Sequence, residues 1–446
     1  MKAVSEVLKV NLLSHGPTYK SLGIDEIVAV SGLQTFKKGT LDTFIEDNPE
    51  IDKKRISQIH KQSTKRGHAS MTTTPNFYFE AEGSRIIDHY GTTLPFGSYV
   101  FFSSRRIEVT EDTLVRPDNL PEKLWKSHKG LLSEYHKMWG QGKKDRARKL
   151  LPIGFYSHGI IKYSLEDILQ IIEDSKKKHM PSEVKLLAER TAEAVKEKAP
   201  SLYEAAIERP VSLSYGHPDL FHKTHYRQFG DTEGSLETWT SKHLEDEITN
   251  FKNQKVKDPE QWKEFALRAN DMIMVNAVFP LSISIWNDIK RHRTTLQKVE
   301  SIYFAMDRAF DELNSLNKGE VPEWIHIPPG CGEEYISVVH QALEEYQKLT
   351  DSFDEKDAVY VAPQCVKVMT SVSMNGYHLL DPFGLFGVRL CTTADYSLSK
   401  AVKRVGEKIV EELPVLEDLI GPKCKTAFCP ERVPCGVVER YKQQIE

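Results

Sequence analysis

Two stretches of this chain, about 200 residues apart, follow the same order of features, and that constrains the fold more than any single motif. In the first, an alternating run at residues 76–82 is followed by Gly83-Ser84, an apolar run, a serine at 103, a long charged stretch and Leu150-Leu151-Pro152. In the second, an apolar run at residues 272–289 is followed by a basic triplet, Ser301, a long helical stretch and Pro363. The pairs Ser103/Ser301 and Pro152/Pro363 keep a similar offset. A period this long fits a duplicated domain better than a short-repeat solenoid. With 446 residues, each copy is long enough to bury its own core. We expect domains at residues 1–212 and 213–446, joined through a Pro-, Gly-, His- and Tyr-rich linker at residues 200–234.

Local patterns supply the elements. Phe77 and Phe79 alternate with Tyr78 and Glu80, which reads as a half-buried strand. Gly83-Ser84 reads as a break and N-cap before a helix running to about Tyr90. Residues 94–106 read as a strand with a cationic tail, and residues 12–32 as strand and loop. Residues 122–149 and 236–252 read as charged helices. Residues 164–178 and 182–198 read as amphipathic helices, the second with a stripe of Val184, Leu187, Ala188 and Val195 that admits Thr191. A further helix carries Val402, Val405, Ile409 and Val410. The expected class is α+β, with a mixed or antiparallel sheet and long helices in each copy.

Composition removes several functions. The net charge is −4, so duplex nucleic acid, which usually demands a basic face, is not an expected partner. No apolar run approaches the roughly 18 residues of a membrane span, and residues 1–15 hold no continuous signal-peptide core. All six cysteines lie at or after Cys331, unlike a secreted disulfide framework. The expected compartment is the cytoplasm. His217, His222 and His225 in the linker have a conceivable metal spacing but no nearby cysteine, so a polar loop is expected. Cys424, Cys429 and Cys435 could take zinc or an iron–sulfur cluster with Cys331 or a histidine as fourth ligand. Their spacing lacks the usual C-x2-C pair, and free thiols with no metal are the expectation.

The chemistry concentrates in Arg291-His292-Arg293, at the end of the apolar run. If the preceding residues form a buried helix, its last turn delivers three cationic or potentially cationic groups at the rim of the core, where the helix dipole favours them. Guanidinium forks suit phosphate and flat heterocycle edges. Earlier in the chain, Ser103, Ser104, Arg105 and Arg148 make a hydroxyl-plus-guanidinium set suited to a phosphomonoester. No Ser-His-Asp or Cys-His arrangement is evident, which fits chemistry delegated to a cofactor.

These stretches resemble the flavin-dependent thymidylate synthases, whose signature is R-H-R-x-x-S-x-N-E-x-S-x-R-Y with an upstream G-H-x-S/T turn. The first copy keeps that turn as His68 and Ser70, keeps Ser98, Ser103 and Arg105, and keeps Arg148 before Leu151-Pro152. It has Thr93-Leu94-Pro95 in place of R-H-R, and Val100 and Phe101 in place of Asn and Glu. The second copy keeps Arg291-His292-Arg293, Ser301, Asn375 and a later arginine at Arg389. It has Leu296, Lys298, Val299 and Tyr303 at the other signature positions, and Asp288 where the family has Gln. The losses are complementary, so the expectation is a fused pseudodimer that keeps one composite site, with two chains forming a homodimeric pseudo-tetramer.

The resemblance implies reductive methylation of a pyrimidine nucleotide monophosphate, dUMP to dTMP. FAD would be the cofactor, with methylenetetrahydrofolate and NADPH as co-substrates. It further implies that Arg389 activates the pyrimidine. Asp288, Arg291, Ser103, Ser104, Arg105 and Arg148 would contact substrate, and His68, Ser70, Arg291, His292, Arg293 and Asn375 would hold FAD. Another pyrimidine nucleotide as substrate, or a non-catalytic flavin- or nucleotide-binding paralogue, are the alternatives.

Overall fold

The computed structural model describes residues 1–36, 38–48, 52–210, 215–226, 229, 234–254, 258–292, 294–317 and 319–442. The chain forms two compact units. The first comprises Met1–Gly142, Leu150–Lys223 and Glu334–Pro363, and the second Lys143–Lys149, Thr224–Glu333 and Gln364–Glu446. Each unit therefore contains a segment from the other half of the sequence.

In the first unit a four-stranded antiparallel sheet is built from β1 (Lys9–Gly16), β2 (Asn76–Ser84), β3 (Ser98–Phe101) and β4 (Tyr156–Ser164), in the order β1-β2-β4-β3. Phe77, Phe79 and Ala81 are buried while Tyr78 and Glu80 face out, the alternation read from the sequence. Ser84 ends β2 and caps α1 (Arg85–Gly91), its Oγ accepting from the Ile86 N–H at 3.1 Å. Ser164 ends β4 and caps α2 (Leu165–Ser175) in the same way. On α3 (Ser182–Lys198) the stripe Val184, Leu187, Ala188, Thr191 and Val195 is buried, and Thr191 returns its hydroxyl to the Leu187 carbonyl.

The second unit repeats this plan. Its sheet holds β5 (Leu236–Thr240), β6 (Ile273–Ser282), β7 (Leu296–Val299) and β8 (Lys367–Asn375), in the order β5-β6-β8-β7. The registers coincide as well. Ser84 lies opposite Tyr156 in the first sheet, and Ser282 lies opposite Lys367 in the second. The apolar run is thus a strand that passes at Ser282 into a helix, α4 (Ile283–Ile289), of which all but Asp288 is fully buried. After β8 come α5 (Gly376–Leu380), α6 (Leu385–Arg389) and α7 (Tyr396–Glu412). This is the expected α+β architecture in two tandem copies.

Three local expectations are corrected. Residues 24–34 are helical, because Ile24, Ile27 and Val28 sit at helical spacing behind Gly23. The supposed linker opens with a helix, Pro200–Ile207, started by a proline at its first position. Residues 236–240 are an edge strand, and only Leu244–Lys252 is the charged helix. Among the described residues no helix is long and apolar enough to cross a membrane.

Candidate active site

The end of α4 and the segment after it form the centre of the second unit's polar cluster. Arg148, carried on Lys143–Lys149, belongs to this unit although it comes from the first half of the chain. Its Nη2 donates to Asp288 Oδ2 at 2.8 Å and to Asp395 Oδ2 at 2.9 Å. Lys149 Nζ donates to the same Asp395 oxygen at 3.0 Å. Asp395 also caps α7, accepting at Oδ1 from the Ser397 and Leu398 N–H groups. Arg148, Lys149 and Asp395 are all buried, so these charges are tolerable only because they are paired.

Arg389, at the last residue of α6, is fixed from two sides. Its Nε–H donates to His292 Nε2 at 2.9 Å and its Nη2 donates to the Asp288 carbonyl at 2.6 Å. A nitrogen that accepts from a guanidinium carries no proton, so His292 is neutral with its hydrogen on Nδ1. Burial, reinforced by the charges of Arg389 and His378, pushes the His292 imidazole down to about 3. Burial alone would raise Asp288, but Arg148, Arg389 and Arg291 outweigh it and hold the carboxyl below the usual range. The same contest, won by Lys149 and Arg148 over burial, depresses Asp395.

Asn375 ends β8 and caps α5. Its side chain accepts from the His378 N–H at 3.4 Å, and its own N–H donates to His378 Nδ1 at 3.1 Å. His378 Nε2 lies 2.9 Å from Thr294 Oγ1, which ties Asn375 to the segment just past Arg291 and His292. Burial brings His378 down to about 4.

Of the residues singled out in the sequence, Arg148, Asp288, Arg291, His292 and Arg389 are therefore gathered in one cluster, with Asn375 linked through His378 to Thr294, two residues past His292. Arg293 lies outside the described residues. Ser103, Ser104 and Arg105 form the turn after β3 in the first unit, with the Arg106 N–H bonded to the Ser103 carbonyl and Ser104 buried. His68 is exposed in a separate turn of that unit, where Gly67 adopts a left-handed φ of 89°, and Ser70 is exposed at the start of the short helix Ser70–Thr73 that follows. Three members of the cluster escaped the sequence reading: Lys149, His378 and Asp395. Asp395 had a signal, an acidic residue just ahead of a helical stripe, but its ion pairs are between residues far apart in sequence.

The first unit shows what became of the matching position. There Tyr90 stands where α4 has Asp288, and Thr93 where it has Arg291. Tyr90 donates its hydroxyl to Asp174 Oδ2 at 2.7 Å. His217 from the linker sets Nε2 3.0 Å from that oxygen and Nδ1 2.9 Å from Thr93 Oγ1. Tyr215 packs edge-on against Phe96, with ring centroids 4.9 Å apart. Linker side chains and a tyrosine fill the space, and the polar groups satisfy one another.

Comparison with known proteins agrees with this picture of two copies. The family model described as thymidylate synthase complementing protein, Thy1, matches residues 20–201 and 270–415. The chain belongs to the Thy1 family. Its relatives include a flavin-dependent thymidylate synthase from Pyrococcus furiosus, 25% identical over 191 residues, which covers 40% of this chain and 75% of the relative. Another, from Pyrococcus abyssi, is 26% identical over 190 residues, covering 39% of this chain and 75% of that one. Among solved structures, a UMP/dUMP methylase, PolB from Streptomyces cacaoi, bound with 5-Br dUMP, matches 48% of this chain and all of its own length at a TM-score of 0.38 and 15% identity. Both Thy1 segments contain a β-strand pair of the same register, β2 with β4 and β6 with β8.

Proposed function

We propose that this chain is a flavin-dependent methyltransferase of the thymidylate synthase type, converting dUMP to dTMP at the cluster around Asp288. The observation that carries the reading is the convergence of Arg148, Arg291 and Arg389 on Asp288 beside a neutral His292. Flavin, reduced by NADPH, would supply hydride, and methylenetetrahydrofolate the one-carbon unit.

The chain's own groups fit that task. Arg389 is preorganised by two hydrogen bonds, so it can stabilise negative charge developing on a pyrimidine ring without reorganising. His292, with its proton on Nδ1, is a neutral donor for a carbonyl edge. Arg291 and Asn375 complete a donor set suited to a flavin, and we assign Arg293, His68 and Ser70 to the cofactor on the family resemblance alone. Ser103, Ser104 and Arg105 are assigned to the nucleotide phosphate on the same ground. A homodimer is the assembly we expect.

One observation favours a second reading. Asp288 stands where the family has a neutral Gln, and it engages Arg148 as an ion pair. An amide there can both donate and accept, whereas a carboxylate only accepts, so the base edge it would meet differs, which fits a protein that binds flavin or modifies a different pyrimidine nucleotide. The test is direct. Purified protein should be yellow, absorbing near about 450 nm as oxidised flavin does, and should form dTMP from dUMP with both co-substrates. Arg389→Lys should lower kcat roughly 100-fold while flavin is retained. Colourless protein inert to added FAD would sink both readings; a yellow protein inert towards dUMP would sink the first alone.

A further inference from the structure

One slot is filled in the first unit and open in the second. In the first, the opening residues of the chain fill it. Lys2–Ala3 runs parallel beside Val115–Arg116, and the Lys2 N–H donates to the Leu114 carbonyl at 2.9 Å. Ala3, Val4 and Val7 are buried there. The second unit presents the same edge. The Val115 N–H donates to the Gly154 carbonyl at 2.7 Å, and its counterpart, the His326 N–H, donates to the Cys365 carbonyl at 2.9 Å. Leu114 bridges Phe155 as Ile325 bridges Val366. Among the described residues, however, no strand lies beside His326 and Ile327. Tyr226, ahead of β5, lies against Lys298 of β7, with Nζ 5.5 Å from the ring centre, at the opposite edge of the sheet.

In place of the filling segment is a cavity of about 430 Å³, wholly within the second unit. β5 begins only at Leu236, opposite Ala277, so it leaves Phe279–Ser282 of β6 uncovered, and Pro280 brings no N–H to a partner there. The floor is apolar and buried, with Leu281, Ile285 and Ile325, while Val321 and Tyr396 stand exposed at the rim. One wall is α7, which lends Lys400, Arg404 and Lys408, spaced a turn apart; Lys367 adds a fourth cation. Among the described residues no acidic side chain lines the cavity. Lys408 Nζ donates to the Gly234 carbonyl at 2.8 Å, but Lys400 and Arg404 make no ion pair among the described residues. The row belongs to this unit alone: α3 and α7 are both 17 residues long, and Leu186 and Ala194 of α3 stand where α7 has Lys400 and Lys408. A recess walled by one sign of charge focuses its field on an anionic guest.

We propose that this slot docks an extended acidic segment of a partner protein, added as a strand beside His326 and Ile327 as Lys2–Ala3 is added beside Val115–Arg116. Main-chain hydrogen bonds would hold the segment and alternate side chains would select it. Two residues of strand advance about 6.6 Å and four residues of helix about 6 Å, so acidic side chains at every second position meet Lys400, Arg404 and Lys408 in turn, and small apolar ones between them enter the floor. The N-terminus of a second copy is a poor guest, because Lys2 and Lys9 would face the cations. A polyanion without a peptide edge would satisfy the charges but leave the strand edge unused.

The experiment titrates the full chain into a fluorescein-labelled peptide of alternating Glu and Val and follows anisotropy. The expected result is saturable binding of one peptide per chain, lost when the peptide backbone is N-methylated, which keeps the charges and removes the donors, and absent for an alternating Lys and Val peptide. Lys400→Glu combined with Arg404→Glu should weaken binding roughly tenfold or more, whereas Lys403→Glu, on an exposed lysine that pairs with Glu407 and does not line the slot, should leave it unchanged. The proposal is overturned by any of four outcomes: no saturable binding of the Glu and Val peptide, equal binding of its N-methylated form, tighter binding of pyrophosphate or of a single-stranded oligonucleotide than of the peptide, or unchanged affinity in the double variant. Lys400 and Arg404 are exposed, so their replacement spares the core, and the peptide comparisons need only the wild-type chain. No outcome depends on turnover, so the docking slot and the proposed reaction stand or fall separately.

Discussion

Asp395→Asn should destabilise the second unit by removing the anion that holds Arg148 and Lys149 in place. Asparagine preserves the shape and, through Oδ1, the cap on Ser397 and Leu398. It replaces Oδ2, which accepts from both cations, with an amide that can only donate. Arg148 retains Asp288, but Lys149, fully buried, has no other hydrogen-bond partner among the described residues. Breaking a buried pair typically costs about 3–5 kcal/mol, and the surviving Arg148–Asp288 contact places the expectation near ~3 kcal/mol. At about 2–4 °C per kcal/mol for a unit of this size, the calorimetric transition should fall by roughly 6–12 °C. Adding Lys149→Met should recover part of that loss, so the double variant should be more stable than the sum of the singles by at least about 1 kcal/mol. The acid limb should change too. Asp395 has a depressed folded pKa, so its contribution is whole above the ordinary carboxylate range and is lost as pH falls below it. The variant should therefore lose less stability on acidification than the wild type. A shift under 2 °C with strictly additive singles would refute the view that this cluster anchors the Arg148 segment.

Two other expectations follow from the same geometry. His292 should show a single neutral tautomer, protonated at Nδ1, by nitrogen NMR; since its folded value is about 3, its contribution to stability is whole above about 6.5 and lost progressively as pH falls towards 3. Titration of His292 near 6.5 in the folded protein would contradict the Arg389 contact. His217→Ala should cost about 1–3 kcal/mol by breaking the bridge between Asp174 and Thr93, yet should create no second nucleotide site, which equilibrium dialysis would show as unchanged stoichiometry.

Much of the fold was legible because its strands and helices obey local rules. Alternation at Phe77 and Phe79, the serine breaks at Ser84 and Ser164, and the stripe on α3 each need only neighbours in sequence to be read. Where the reading failed, tertiary context decided. Residues 236–240, Leu-Glu-Thr-Trp-Thr, are an edge strand because β6 offers them a partner, and their charged continuation masked this. Residues 24–34 looked broken because Gly23 and Gly32 flank and interrupt an otherwise apolar helix. In the site, Arg291, Asp288 and Arg389 were found because their motif is local or carried by the family resemblance. Asp395 and Lys149 were not, since an ion pair across about 250 positions leaves no periodic trace in the sequence.

The segment exchange between units has a consequence for any attempt to separate the halves. Residues 143–149 complete the core of a body encoded mostly by the later half, and Glu334–Pro363, with Tyr335, Val339, Leu343 and Tyr346 buried, completes that of the earlier one. A break in the gene at the linker would give two orphans, each lacking a piece of its interior and displaying an oily helix or charged loop meant for concealment. Each half is thus expected to depend on the other for part of its interior, whatever either comes to bind.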